Sequence, residues 1–237
     1  MSPYRIPYQA KGGARLDYVV PSFDEMTIDH YRKLAPIAKA FVEDETIDYR
    51  IGVVNEFAGI PVDVLNNRPM KEVQEVFDFM RDQCIKALQG SEEFNLAVSE
   101  ERDYIPPETI TIADKEYAVP YDLEMETVAG QWADWYAWEP PQHEADLIAE
   151  TLAFMLVEKG TKYAGTPKGK VAAMGGANLA QSFDLCAFFF AKSERFRNAT
   201  SQRKSSFHTL LNALVVKALK HLPSDTGDST SSSQPQN

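Results

Sequence analysis

Apolar residues recur at helical spacing over most of this chain. Tyr31, Leu34, Ile37, Ala38 and Phe41 fall three or four places apart, the period that puts side chains on one face of a helix. Thr27 stands ahead of them as a cap whose hydroxyl can accept from a backbone N–H of the first turn. Pro36 interrupts the run, because it lacks an N–H and clashes with the preceding turn, and it predicts a kink or two short helices. The next face is Ile47, Ile51, Val54 and Phe57, a helix from about Ile47 to Ala58 capped by Thr46 and ended by Gly59. Pro61 starts a short helical turn through Leu65. Pro69 then opens the clearest helix, with Met70, Val73, Val76, Phe77, Met80, Cys84, Ile85 and Leu88 on one face and Gly90 just past its end.

Beyond Gly90 the period changes. Phe94, Leu96 and Val98 alternate with other residues, as in a half-buried strand. Residues 109–112 and 116–119 flank Ala113-Asp114-Lys115 and read as a β-hairpin. Thr127 then leads a helix carrying Val128, Trp132 and Trp135, broken at Glu139-Pro140-Pro141. Ala145, Ile148, Leu152, Met155 and Leu156 form the stripe of another, stopped by Gly160. Five glycines and Pro167 between 160 and 176 predict a long, mobile connection. Leu179, Phe183, Cys186 and Phe190 mark a helix from Asn178 to about Arg195. Phe207, Leu210, Leu211, Leu214, Val215 and Ala218 mark a last one from Ser205 to Leu222, closed by Pro223.

One string is used twice. Tyr18-Val19-Val20-Pro21-Ser22-Phe23-Asp24-Glu25-Met26 aligns without a gap on Tyr117-Ala118-Val119-Pro120-Tyr121-Asp122-Leu123-Glu124-Met125. Each copy ends a strand at Pro and leads into helix. The expected fold class is therefore α+β, mostly α-helical, with a small antiparallel hairpin or sheet and an internal duplication of a strand–helix–helix block. The expected organisation is a loose arm over 1–15, a first unit over 16–90, a second over 91–222 and a disordered tail over 223–237, poor in apolar residues.

Composition places this pattern in a soluble globular setting: 237 residues, 44% hydrophobic and 25% charged. The net charge of -11 opposes non-specific binding to nucleic acid or an anionic membrane and favours a basic protein partner. Cys84 and Cys186 are far apart and form no metal-ligand spacing, which fits a reducing cytoplasm. The first residues lack the apolar run of a signal peptide, and the most apolar stretch, Leu185–Ala191, is far shorter than the ~20 residues of a membrane span. A cytosolic protein is expected, with no membrane partner.

Candidate chemistry is sparse. His30, His143, His208 and His221 have no His or Cys at helical ligand spacing; His143-Glu144 begins like a zinc-protease helix, but Leu147 stands where the second His would be. Cys84 and Cys186 lie on apolar faces, where a thiol packs as a small hydrophobe. The phosphate-loop spacings are absent around Lys168-Gly169-Lys170. Acidic runs such as Glu43-Asp44-Glu45, Glu92-Glu93 and Asp122 to Glu126 fall at helix starts and loops, where acids favour the positive end of the helix dipole. No catalytic residue, metal or cofactor is assigned. Trp132, Trp135 and Trp138 can enter a core, anchor a protein interface or stack on a ring ligand. Lys192 to Lys220 is the basic exception. Its Arg195, Arg197, Arg203 and Lys204 can be a solvated helix end, a nucleic-acid footprint or a self-association patch that meets the acidic body.

The stretch Ile47–Met80 adds a resemblance. A helix, then Phe57-Ala58-Gly59-Ile60-Pro61-Val62-Asp63-Val64-Leu65, then a polar helix start at Met70-Lys71-Glu72-Val73, resembles small phage tail-assembly chaperones. The hairpin Ile110–Val119, followed by Pro120, Asp122-Leu123, Thr127-Val128 and Gln131-Trp132, is similar to proteins of tailed-phage structural modules. Together these cover about a third of the chain. The resemblance implies a non-enzymatic protein in the host cytoplasm or virion that binds a tail or virion component. Its partners would be other phage structural proteins and further copies of itself. The candidate binding residues are Trp132, Trp135, Trp138, Arg195, Arg197, Arg203 and Lys204. Two alternatives stand beside this: an enzyme using carboxylates near loop 160–176, and a nucleic-acid accessory acting through the basic segment.

Overall fold

The first turn of a helix leaves backbone N–H groups with no partner inside the helix. In the computed structural model, which describes residues 2–9, 13, 15–41, 46–100, 104–165 and 168–192, helix α1 (Ile28–Ile37) meets this need from two directions. Ile28 N–H donates to the Ala177 carbonyl at 3.1 Å and Asp29 N–H to the Gly175 carbonyl at 2.9 Å. Leu179 N–H donates back to the Met26 carbonyl at 2.8 Å, and Thr27 and Asn178 form an antiparallel bridge. Locally, Thr27 Oγ1 accepts from His30 N–H at 3.4 Å, while His30 Nδ1 accepts from Thr27 N–H at 3.1 Å. That is a capping box with His in the place usually held by Glu or Gln.

The segment zipped to α1 leads into α9 (Leu179–Lys192). Asn178 serves both sides: its Oδ1 accepts from Gln181 N–H at 3.0 Å and its Nδ2 donates to the Asp24 carbonyl at 2.8 Å. Helix α9 packs on α4 (Met70–Glu100), and α4 packs on α2 (Ile47–Ala58). Helix α7 (Glu144–Met155) runs through the interior against α1, α9 and the short α8 (Lys168–Met174). Most of α7 is buried, from Ala145 through Leu147–Ala149 to Thr151–Met155, as expected of a helix covered on nearly every side.

Two small sheets lie outside this helical core. β1 (Tyr4–Gln9) and β2 (Arg15–Val20) form an antiparallel hairpin with Ile6 opposite Tyr18. β3 (Thr109–Ile112), β4 (Lys115–Ala118) and β5 (Val157–Glu158) form an antiparallel sheet in that order. Ala113 and Asp114 both have positive φ, 47° and 63°, the requirement of the two-residue hairpin turn whose twist matches the strands. Lys115–Glu158 and Lys159–Glu116 pair across the strands at 2.8 and 2.9 Å.

The mostly helical architecture with a little antiparallel sheet is the one expected. Thr46 and Gly59 bound α2 as their chemistry requires: Thr46 accepts from Tyr49 N–H, and Gly59 takes the left-handed conformation. Pro61 opens α3 (Val62–Asn66). Pro36 lies inside α1, which gives way to a tighter 3-10 turn over Ala38–Phe41.

Four expectations are corrected. Residues 4–9 are a strand, because Tyr4, Ile6 and Tyr8 put one side of the ribbon on the core; Ile6 is buried there. Gly90 neither ends α4 nor separates two units along the chain, and Phe94 is helical. Cys84, Ala87, Leu88, Ser91 and Phe94 continue the buried helical face through it. Residues 168–174 are α8, where the glycines had suggested a loop. Thr127 does not cap the helix after it: that cap is Val128, with no side-chain hydrogen bond, and Thr127 Oγ1 donates instead to the Leu123 carbonyl.

Gly90 has a packing reason to be in mid-helix. A Cβ there would stand 3.1 Å from Phe23 Cζ and 3.3 Å from Phe183 Cε2, and Phe183 is itself held against Tyr31 and Phe94. Gly90→Val is expected to destabilise the fold by about 2 kcal/mol through overpacking, read as a lower denaturant midpoint. The capping imidazole gives a second outcome. Burial first, then the Lys33 charge, pushes the His30 pKa down, with Asp29 opposing. Its contribution to stability is full above the unfolded value near 6.5 and is lost as pH falls through the lower folded value. Unfolding free energy should therefore decline from pH 7 to 5. His30→Gln, which keeps an acceptor at this position, should flatten that slope.

Candidate protein-binding surface

Short helix α5 (Leu123–Glu126) leads into α6 (Ala129–Ala137). Tryptophans three apart on such a helix cannot all face one way, and they separate into different environments. Trp135 is fully buried, with ring centroids 5.8 Å from Phe154 and 6.2 Å from Phe190. Trp138, just past the helix, lies 5.0 Å from Trp135 and 5.2 Å from Phe154, and its Nε1 donates to Glu150. Trp135 and Trp138 are thus core residues and do not present an interface. Trp132 is half-buried, its Nε1 donating to the Leu123 carbonyl at 3.3 Å. Arg195, Arg197, Arg203 and Lys204 lie outside the described residues, as do the helix expected over 205–222 and the tail.

The apolar surface that is exposed lies beside the tryptophans. Tyr121, Met125 and Val128 are 56%, 82% and 52% exposed. Ala129, Ala133 and Ala137 extend the exposed side along α6. The turn carrying these residues is braced by its own acids: Glu126 accepts from the Tyr121 and Asp122 N–H groups at 3.1 and 3.3 Å, and Asp122 accepts from Met125 N–H at 3.2 Å. The Tyr121 ring stacks on Phe188 at 6.0 Å. Tyr104, whose neighbour Ile105 is exposed, meets the same Phe188 ring edge-on, and the Lys192 ammonium stands over it at 5.9 Å. Scattered exposed apolar residues are ordinary; several within one short turn mark a contact surface.

The repeated string sharpens the contrast. In both copies a hairpin's second strand ends at a buried proline, Pro21 or Pro120, and a short helical turn follows. Met26 closes the first copy with no exposed surface, beneath the Ala177–Leu179 segment bonded to it. Met125 closes the second almost fully exposed. The sequence alone hides this, because the residues that cover Met26 lie far along the chain.

Ionisable groups meet in the interior. Glu144, at the start of α7, accepts from Tyr31 Oη at 2.6 Å and from Ser91 Oγ at 2.7 Å. Tyr31 and Ser91 are buried, so this cluster joins α1, α4 and α7 and offers no approach to a substrate. Burial, with the neighbouring Glu144 carboxylate, pushes the Tyr31 phenol well up. Burial raises the Cys84 thiol to about 12 and the Cys186 thiol well above its ordinary value. Both stay protonated, and a protonated thiol is a poor nucleophile. At the rim of this region Arg32 joins Asp146 at 2.9 Å and also pairs with Asp29. Among the described residues, no group of three or more His, Cys, Asp or Glu side chains is placed to hold a metal ion, and no helix is long and apolar enough to cross a membrane. An open cleft of about 230 Å³ runs between β1 and the α3–α4 corner, lined by Tyr4, Arg5, Leu65, Arg68 and Val76. Arg68 is already engaged there by Glu72 and the Pro7 carbonyl.

No family model, curated protein or solved structure matches this chain.

The buried cluster predicts a structural cost. Tyr31→Phe keeps the ring and removes one hydrogen bond to a carboxylate, so stability should fall by roughly 1.5–3 kcal/mol. Ser91→Ala combined with it should cost less or more than the sum of the singles, since both hydroxyls share one carboxylate; denaturant unfolding of the four proteins checks this.

Proposed function

We propose that this protein is a non-enzymatic assembly factor, a phage-encoded chaperone or accessory structural protein, that binds a tail or virion component through the Tyr121–Met125–Val128 face. The observation that carries the reading is the exposure of Met125, at 82%, in a braced turn whose sequence twin buries its own methionine completely. A side chain held out on a rigid turn loses little conformational freedom on binding, which favours affinity. Half-buried Trp132 borders the face and suits the edge of a contact whose centre is apolar. The acidic balance of -11 fits a partner with a basic rim. The Gly59-Ile60-Pro61 corner and the hairpin 110–119 that resemble phage assembly proteins name the class of partner.

Full-length protein carrying Met125→Asp and Val128→Asp tests this. Each side chain buried at an interface is worth about 1.5–3 kcal/mol, so affinity for the phage structural protein that co-purifies from infected cells should fall tenfold or more. An undiminished affinity, with native circular dichroism, would refute the reading. So would the absence of any co-purifying structural protein at micromolar concentration.

A further inference from the structure

We propose that residues 205–222 of this chain seat on the Tyr121–Met125–Val128 face of the same molecule, with the basic stretch before them lying along the neighbouring acids. Three observations lead there. The first is where the chain leaves the described fold. Helix α9 ends at Lys192, whose ammonium stands over Phe188, the same ring on which Tyr121 stacks. The chain departs one aromatic ring away from the face, and 193–204 is a connection of twelve residues, able to span up to roughly 40 Å.

The second is charge. Asp184 is exposed near this exit and feels the like charge of Glu93; Asp122 and Glu126 lie in the face's own turn. Residues 193–204 bring Arg195, Arg197, Arg203 and Lys204 against one acid, Glu194. Opposite signs meet along the path the chain must take. The third is pattern. Phe207, Leu210, Leu211, Leu214 and Val215 recur at helical spacing, and an apolar stripe of that kind needs an apolar surface to lie on. A tether this short gives an effective concentration near millimolar, so at micromolar protein the segment's own molecule is favoured over a second copy. The docking stands without the partner-binding reading. Its consequence, that an incoming partner must displace the segment, rests on that reading.

The test uses the full chain. Cysteines placed by Val128→Cys and Leu211→Cys should join under mild oxidation as an intrachain disulfide in a monomer, since Cys84 and Cys186 are buried and out of reach. A covalent dimer would put a second copy on the face and overturn the proposal. Separately, Leu210→Asp with Leu214→Asp should speed amide exchange over 121–131 about tenfold while α7 amides stay protected. Unchanged exchange there would overturn it. The same double variant should capture the co-purifying structural protein more readily. If the disulfide fails to form and exchange is unmoved while Met125→Asp still abolishes partner capture, the docking is wrong and the partner-binding reading stands. If the disulfide forms and no partner is captured, the reverse holds.

Discussion

The fold depends on four backbone groups. The N–H groups of Ile28 and Asp29 find the carbonyls of Ala177 and Gly175, and Leu179 N–H returns to Met26. Without these bonds the first turn of α1 would be buried with donors unmatched, a cost of about 1–3 kcal/mol for each group. With them, residues some 150 positions apart in the chain become neighbours, and α9 is delivered against α4 and α1. The exchange also explains the chemistry around it. Asn178 has donors and acceptor on one short side chain and uses both ends. Gly175 approaches so closely that a Cβ there would meet the Asp29 carboxylate.

Polar clamps then lock the helices that this zip brings together. Glu144 receives hydroxyls from α1 and α4, and Gln131 reaches from α6 to the carbonyls of Phe154 and Met155 at the end of α7. In an interior of otherwise apolar side chains such bonds specify one arrangement, because any slip would strand a buried donor or acceptor. The aromatic cluster of Trp135, Trp138, Phe154 and Phe190 fills the space between α6, α7 and α9. The tryptophans are spent on cohesion, and recognition is left to smaller residues on the opposite side of α6.

The two copies of the repeated string show how one local solution serves two ends. Strand, proline and helical turn are set by neighbours in sequence, and both copies adopt them. What happens to the terminal methionine depends on what arrives from elsewhere. The first copy receives the 175–179 segment and becomes core. The second receives no cover from the described residues, and its exposed turn is where recognition and any internal masking meet. A face that is rigid, apolar and rimmed by acids is suited to a partner that is amphipathic and basic, whether it comes from another protein or from this chain's own end.

Local chemistry settled a good deal. Thr46 and Gly59 bound α2, Pro61 and Pro69 open α3 and α4, and Ala113-Asp114 turn the β3–β4 hairpin, because caps, prolines and turns act over a few residues and carry their signal there. The apolar stripes of α4, α7 and α9 were legible for the same reason. Other features were not. Phe94 read as a strand because alternation over a few residues mimics the end of a helical face, and only packing against Phe183 and Phe190 resolves it. Residues 168–174 read as a loop because glycine weakens a helix by only about 1 kcal/mol, an amount that the packing of α8 on α7 outweighs. The candidate surface was the least visible of all. Nothing in the string around Met125 differs in kind from the string around Met26, so the sequence determined the turn, while exposure was decided by which distant segment folds back to cover it.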